Sequence, residues 1–168
     1  IEKKVVIEGQ KTAYFSEKFL EITVPVTTKE QIKEIKKTVT HIAKKHDEEP
    51  YKALATTQQA IFHQLEEQDE IDAAAIFDKV FEEKPLAREA AQLAITEERV
   101  PEKIAVTNVP KYERKYSKQK FKLDNGIEIT IPSEIYENKE MVEFINNPDG
   151  SVSVLIKNIE SILNKFNA

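Results

Sequence analysis

Apolar residues recur along this chain with two different periods, and the change from one to the other divides it. From Thr28 to about Ile95 the spacing is helical. Ile32, Ile35, Val39 and Ile42 return every three or four residues, which puts them on one narrow stripe of a helix. Ahead of them, Thr27 with Glu30 or Thr28 with Gln31 makes a capping box. Asp47-Glu48-Glu49-Pro50 opens a second helix, to about Gln68, with Tyr51, Leu54, Ile61, Phe62 and Leu65 on its apolar face and polar Gln58 in the gap. The acidic cluster Glu66–Glu70 reads as an exposed turn. Asp72 suits the N-cap of a helix over Ala73–Phe81, where Ile76, Phe77, Val80 and Phe81 share a face. Pro85 opens a further helix with Leu86, Ala90, Leu93 and Ala94 inward. Upstream, Tyr14, Phe15, Phe19 and Leu20 fit one helical face within Val5–Ile22. Pro25 then breaks the pattern by holding Val24 extended.

Beyond Thr96–Pro110, which holds two prolines and the short β-like run Ile104-Ala105-Val106, the period falls to two. Phe121 and Leu123 alternate before Asp124-Asn125-Gly126, and Ile127, Ile129 and Ile131 after it, so Gln119–Ile131 reads as a hairpin. Pro132–Asn138 reads as a short helix or loop. A second hairpin pairs Val142–Asn146 with Val152–Lys157 across Asn147-Pro148-Asp149-Gly150. In that turn Pro presets φ, Asp caps and Gly accepts a positive φ. Ile159, Ile162, Leu163 and Phe166 then return to helical spacing, so Asn158–Phe166 is expected to be a closing helix. The fold class is α+β: a helical layer of about five helices packed with a small antiparallel sheet of two β-hairpins and a C-terminal helix. Residues 1–99 form the mainly helical region and residues 100–168 the hairpin region, together one compact unit.

The length of 168 residues can bury a full core without a metal or disulfide staple. The absence of cysteine excludes disulfides, thiol catalysis and cysteine-ligated zinc, and fits a reducing compartment. No apolar run approaches the ~18 residues of a membrane span. The chain opens on Ile1 rather than Met and is expected to be a piece of a longer protein. The net charge of −5 is unevenly laid out. Residues 1–46 carry ten Lys against six Glu, residues 47–102 fifteen acids against five bases, and residues 103–168 ten bases against nine acids. A uniformly basic nucleic-acid coat is excluded, while a basic surface beside an acidic one is not.

Two stretches carry a family resemblance. Lys120–Ile131, followed after a spacer by Glu143-Phe144-Ile145-Asn146-Asn147-Pro148-Asp149-Gly150 and then by Ile156-Lys157-Asn158-Ile159, resembles the C-terminal pattern of the bacterial nucleoid-associated proteins of the NdpA/YejK type. Upstream, Thr57-Gln58-Gln59 and the layout through Asp72–Phe81 are similar but less distinctive. The resemblance implies a cytoplasmic bacterial protein found with the nucleoid, without enzyme activity and without a cofactor. It also implies an additional N-terminal part, absent here, which is a second possible home for nucleic-acid contact. It carries over no catalytic or ligand residues.

The residues themselves offer one candidate surface. Lys111, Arg114, Lys115, Lys118, Lys120 and Lys122 are opposed only by Glu113, with Tyr112, Tyr116 and Phe121 interleaved. Such a run can hold phosphates, with aromatics for stacking on bases. Lys118, Lys120 and Lys122 would share the solvent face of a strand, which suits a phosphate patch and equally a strand edge guarded against aggregation. The lysines of Thr28–Lys45 form a second, partly neutralised patch. Asp72–Ile95 is read as an αα-hairpin and not as a DNA-reading helix pair, because its second helix offers only Arg88 and Gln92 within an acidic stretch. His41, His46 and His63 lack metal-ligand spacing. Only Gly9, Gly126 and Gly150 are present, which excludes Walker and dinucleotide loops, and no nucleophile motif appears. No small-molecule substrate is evident. The expected partners are DNA, nucleoid proteins or a second copy of the chain. A binding or self-association module using the acidic face or an apolar helix stripe is the alternative to direct DNA contact.

Overall fold

Helix α1 (Thr28–Lys45) starts at the first of the two possible capping boxes. Glu30 N donates to Thr27 Oγ1 at 3.1 Å and Thr27 N donates to Glu30 Oε1 at 3.2 Å. The computed structural model describes Thr27–Asn167, so the readings over Val5–Ile22 and Val24–Val26 lie outside the described residues. The chain divides by its internal contacts into Ile1–Gln31 and Ile32–Ala168, and the core and surfaces below belong to the second unit.

Ile32, Ile35, Val39 and Ile42 are all buried, as their spacing demands. Helix α2 (Pro50–Glu67) buries more than one face. Ala53, Ala55, Ile61 and Leu65 are joined inside by Thr57 and Gln59, while Tyr51 and Leu54 are only half-buried. Strand β1 (Glu70–Asp72) follows and then α3 (Ala73–Val80), capped by Asp72, whose Oδ1 accepts from Ala75 N at 3.1 Å. Glu70, expected in an exposed turn, instead belongs to β1. Its partner is β2 (Lys103–Ala105), with Ile71 opposite Ile104 and both fully buried. Val100, Ile104 and Val106 thus join the same core as α1–α4 (Pro85–Thr96).

In α4 the inward face is turned from the one expected. Ala87, Ala91 and Ala94 are buried, whereas Leu86 is 71% exposed and Leu93 50%. Alanine lets α4 approach α3 closely, and Gln92 closes the contact by donating to Ala74 O and Asp78 Oδ1 at 3.1 and 3.0 Å. The leucines are left outside by that choice of face.

Helix α5 (Val109–Tyr116) was not evident in the sequence. Asn108 caps it, its Oδ1 accepting from Lys111 N at 3.3 Å, and Pro110 sits where its missing N–H costs nothing. Both expected hairpins form. Strand β3 (Lys118–Lys122) pairs with β4 (Glu128–Pro132) in the register Phe121 opposite Ile129, and short α6 (Ser133–Tyr136) follows. Strand β5 (Val142–Asn146) pairs with β6 (Val152–Ile156) with Phe144 opposite Val154. Gly126 and Gly150 take φ of 95° and 90° at the two turns, the left-handed region each turn requires. The hairpins do not merge into one sheet; with β1–β2 they are three separate two-stranded ladders.

The expected closing helix is not formed. Residues 157–167 carry no regular structure, and Ile159, Ile162, Leu163 and Phe166 are 52, 84, 82 and 85% exposed. A nine-residue helix is too short to persist without a face to pack on, since isolated helices shorter than ~12–15 residues are marginal in water.

Candidate nucleic-acid interface

The six cations singled out in the sequence fall on two consecutive elements joined at Ser117. Lys111, Arg114 and Lys115 lie on α5 at helical spacing, and Lys118, Lys120 and Lys122 occupy alternate positions of β3. All six are exposed. The strand lysines share one face, as expected, because Gln119 and Phe121 turn the other way. Their cross-strand neighbours are Pro132, Thr130 and Glu128, so a single carboxylate faces the row. Among the described residues none of the six forms an ion pair, while Lys103, Lys84 and Lys157 each do.

The interleaved aromatics do not join them. Tyr112 is buried in the core, and Tyr116 packs against it with ring centroids 6.0 Å apart. Burial pushes the Tyr116 hydroxyl up to about 12, with the neighbouring Tyr112 adding to the effect. Lys111 and Lys115 reach back over these rings, 5.5 and 6.0 Å from the centroids of Tyr112 and Tyr116. Phe121 lies on the far side of β3, stacked on Tyr136 at 5.8 Å and tilted against Phe144 at 5.1 Å. The expected stacking platform is therefore absent from the lysine face. Phe121 turns away from the strand lysines for the reason the lysines align: a strand's side chains point to opposite faces.

What holds the strip in place is a set of side-chain amides, of which Gln59 and Gln119 are buried. Gln58 Nε2 donates to Lys118 O at 2.9 Å and to Tyr116 O at 3.3 Å, clasping the α5–β3 joint from α2. Gln119, 2% exposed, donates to Ala55 O at 2.9 Å and to Gln59 Oε1 at 3.0 Å. Gln59 Nε2 in turn donates to Ser133 O at 3.1 Å and to the Glu137 carboxylate. Ser133 completes the joint, its Oγ donating to Tyr116 O at 2.7 Å and its N to Ser117 O at 2.8 Å. Of these only Gln58 stood out in the sequence. A buried Gln in a lysine-rich strand leaves one trace, its place in the alternation where an apolar residue belongs.

Glu137 also accepts from His63 Nε2, and His63 Nδ1 lies 3.4 Å from Glu66 Oε1. Desolvation lowers the His63 pKa, but the hydrogen bonds and charges of Glu137 and Glu66 outweigh it, and the net shift is upward. Among the described residues no cluster of three or more His, Asp or Glu is placed to hold a metal. The α3–α4 pair offers no groove-reading helix either, because Gln92 is spent on α3.

Behind the strip, on the Phe121 side, opens a groove of about 1000 Å³. The apolar faces of the two hairpins wall it, with Phe121, Ile127 and Ile129 on one and Phe144, Val152, Val154 and Ile156 on the other; Tyr51 and Leu54 of α2 contribute, and Lys115, Lys120 and Lys122 of the strip border it.

A helical core that carries a cationic strip bordering a largely apolar groove defines an α+β protein whose exposed features are surfaces. The family described as nucleoid-associated protein YejK matches residues 1–164, and the chain belongs to that family. Its place is accordingly the bacterial nucleoid. No curated protein and no solved structure matches the chain. Among the described residues no helix is long and apolar enough to cross a membrane.

Proposed function

We propose that this chain acts by binding and not by catalysis, and that it contacts duplex DNA without sequence preference through Lys111, Arg114, Lys115, Lys118, Lys120 and Lys122. The observation that carries the reading is the exposure of all six cations on two adjoining elements with no ion pair among the described residues. An unpaired surface cation keeps its full charge for a phosphate. The strand lysines stand about 6.8 Å apart, set by the ~3.4 Å rise per strand residue, a spacing comparable to that of neighbouring phosphates along a DNA backbone. With the aromatics turned inward, the contact is electrostatic and favours the backbone of a duplex over stacked single-strand bases. The acidic stretch from Asp47 to Glu102 limits contact to this side.

Fluorescence anisotropy with duplex DNA, titrated from low to physiological salt, tests the proposal. Six phosphate contacts would give a slope of log affinity on log salt no steeper than about −5. Lys115→Ala, Lys118→Ala and Lys120→Ala together should weaken binding and flatten that slope by about 3. Absence of binding at low salt, or a triple variant that binds like the original, would overturn direct contact here. Nucleoid association would then run through a protein partner.

A further inference from the structure

Among the described residues two apolar features lack a partner, and each has the form the other requires. The first is the groove between the hairpins, where Ile127, Val152 and Ile156 remain 54, 40 and 52% exposed. Its volume of about 1000 Å³ is at the upper end for small-molecule sites, which run to ~1,000 Å³. The second is the segment Asn158–Phe166. Its Ile159, Ile162, Leu163 and Phe166 are separated by three, one and three residues, so in a helix they form a single stripe, with Glu160, Asn164 and Lys165 off it.

We propose that Asn158–Phe166 of one copy folds into a helix and seats this stripe in the groove of a second copy, the exchange being reciprocal. The two features are contiguous. Ile156 is both a wall residue of the groove and the last residue of β6, from which the segment leaves. The root is fixed: Lys157 N donates to Met141 O at 2.8 Å, and Asn158, at φ 59°, donates from Nδ2 to Glu140 O at 2.8 Å. None of residues 157–167 lines the groove of its own chain. An arm that starts at the lip of a groove it does not fill is the arrangement from which identical elements are exchanged between protomers. The seat converts a segment too short to be helical alone into an amphipathic helix in an apolar groove. Two reciprocal seats would bury eight large apolar side chains against two groove walls, of the order of the ~1,600 Å² of a standard stable interface. Lys115, Lys120 and Lys122 also border the groove, so the arm and groove substitutions below are placed at apolar positions outside the cationic strip and leave its six cations intact.

Sedimentation velocity on the full 168-residue chain, from about 1 to about 100 µM, tests it. The expected result is a monomer–dimer equilibrium in which far-ultraviolet circular dichroism gains helix as dimer forms. Ile162→Asp with Leu163→Asp should weaken dimerisation at least about 100-fold, since two carboxylates would enter an apolar seat. Val152→Arg on the groove wall should do the same, with Ile127→Lys as the second variant should Val152→Arg fail to fold. The decisive sample is an equimolar mixture of the arm variant and the groove variant. One holds an intact groove and the other an intact arm, so the mixture should recover a dimer with one seat filled. A chain that stays monomeric throughout, an arm variant that dimerises normally, or a mixture that stays monomeric would each overturn the proposal. Loss of helix on arm substitution in a permanent monomer would place the arm in its own groove.

Discussion

The helical part of this protein and its hairpin part use apolar residues in opposite ways. Between Ile32 and Val106 most large apolar side chains enter one core; Tyr51 and Phe62 lie outside it, and Leu86 and Leu93 on α4 are exposed. After Lys118 only Ile131 and Val142 are fully buried among such residues, while Ile127, Val152, Leu155, Ile156 and the four of the C-terminal segment stay exposed. A helix commits a whole stripe to its neighbours. A two-stranded ladder has two faces and two open edges, and alone it can bury at most one face. The comparison teaches that the core of α1–α4 holds the protein together, and that the hairpins spend their apolar residues on a surface.

The sharpest way to break that comparison is to truncate one residue from each part. Phe77→Ala, at the core centre, should cost about 3–5 kcal/mol in urea unfolding. Leu155→Ala, on the hairpin surface and 45% exposed, should stay within about 0.5 kcal/mol. Similar losses at both sites would mean the hairpins belong to the core after all.

Next comes the amide joint that ties the two parts. Gln119→Ala removes donors to Ala55 O and Gln59 Oε1 and leaves both acceptors buried, so it should cost about 1–3 kcal/mol. In hydrogen exchange the β3 amides should lose protection before those of α2. Uniform loss would show that the joint is not a separable element.

A smaller effect is expected at the turns. Gly126→Ala meets no atom within 4 Å, so its cost is backbone strain alone at φ +95°, about 1–2 kcal/mol. Unfolding of this variant should show no change in α1–α4 packing by near-ultraviolet dichroism.

The smallest is the pH response of the His63 bridge to Glu137. The folded-state pKa is raised, so the stabilisation is fully present below the unfolded value of about 6.5 and fades as pH rises through the folded value. Both groups are about half exposed, side chains 50 and 43%, which holds the contribution to under about 1 kcal/mol. His63→Asn should flatten the Tm profile across that window and leave it unchanged well above it. A profile identical to the original would remove the bridge as a link between α2 and the residue that follows α6.

Much of this was legible in the residues. The α1 stripe, the Asp72 cap, both hairpins and their turns, and the shared face of Lys118, Lys120 and Lys122 each follow from spacing within a few residues. The family resemblance rested on the same hairpin run and holds across the chain. Helix α5, the place of Glu70 in β1 and the separation of the hairpins were not legible, and three further misreadings have a clear physical cause. The inward face of α4 was mistaken because hydrophobicity ranks leucine above alanine, while close helix packing selects the smaller residue. The aromatics of Lys111–Lys122 were expected beside the lysines because they adjoin them in sequence, although burial and alternation send them elsewhere. The C-terminal helix was read from a stripe that finds no wall among the described residues.

The sequence by itself determined what depends on neighbours along the chain: caps, turns, periods, and the sign of charge on a face. The tertiary structure alone decided what depends on who meets whom. It chose Ile71 to face Ile104 and set Gln58, Gln59 and Gln119 to hold the joint beneath the cationic strip. Among the described residues it also left a groove and an apolar arm unfilled in one chain. The physical reason is that burial is a property of pairs of surfaces, and a periodic stripe states only that a surface is available.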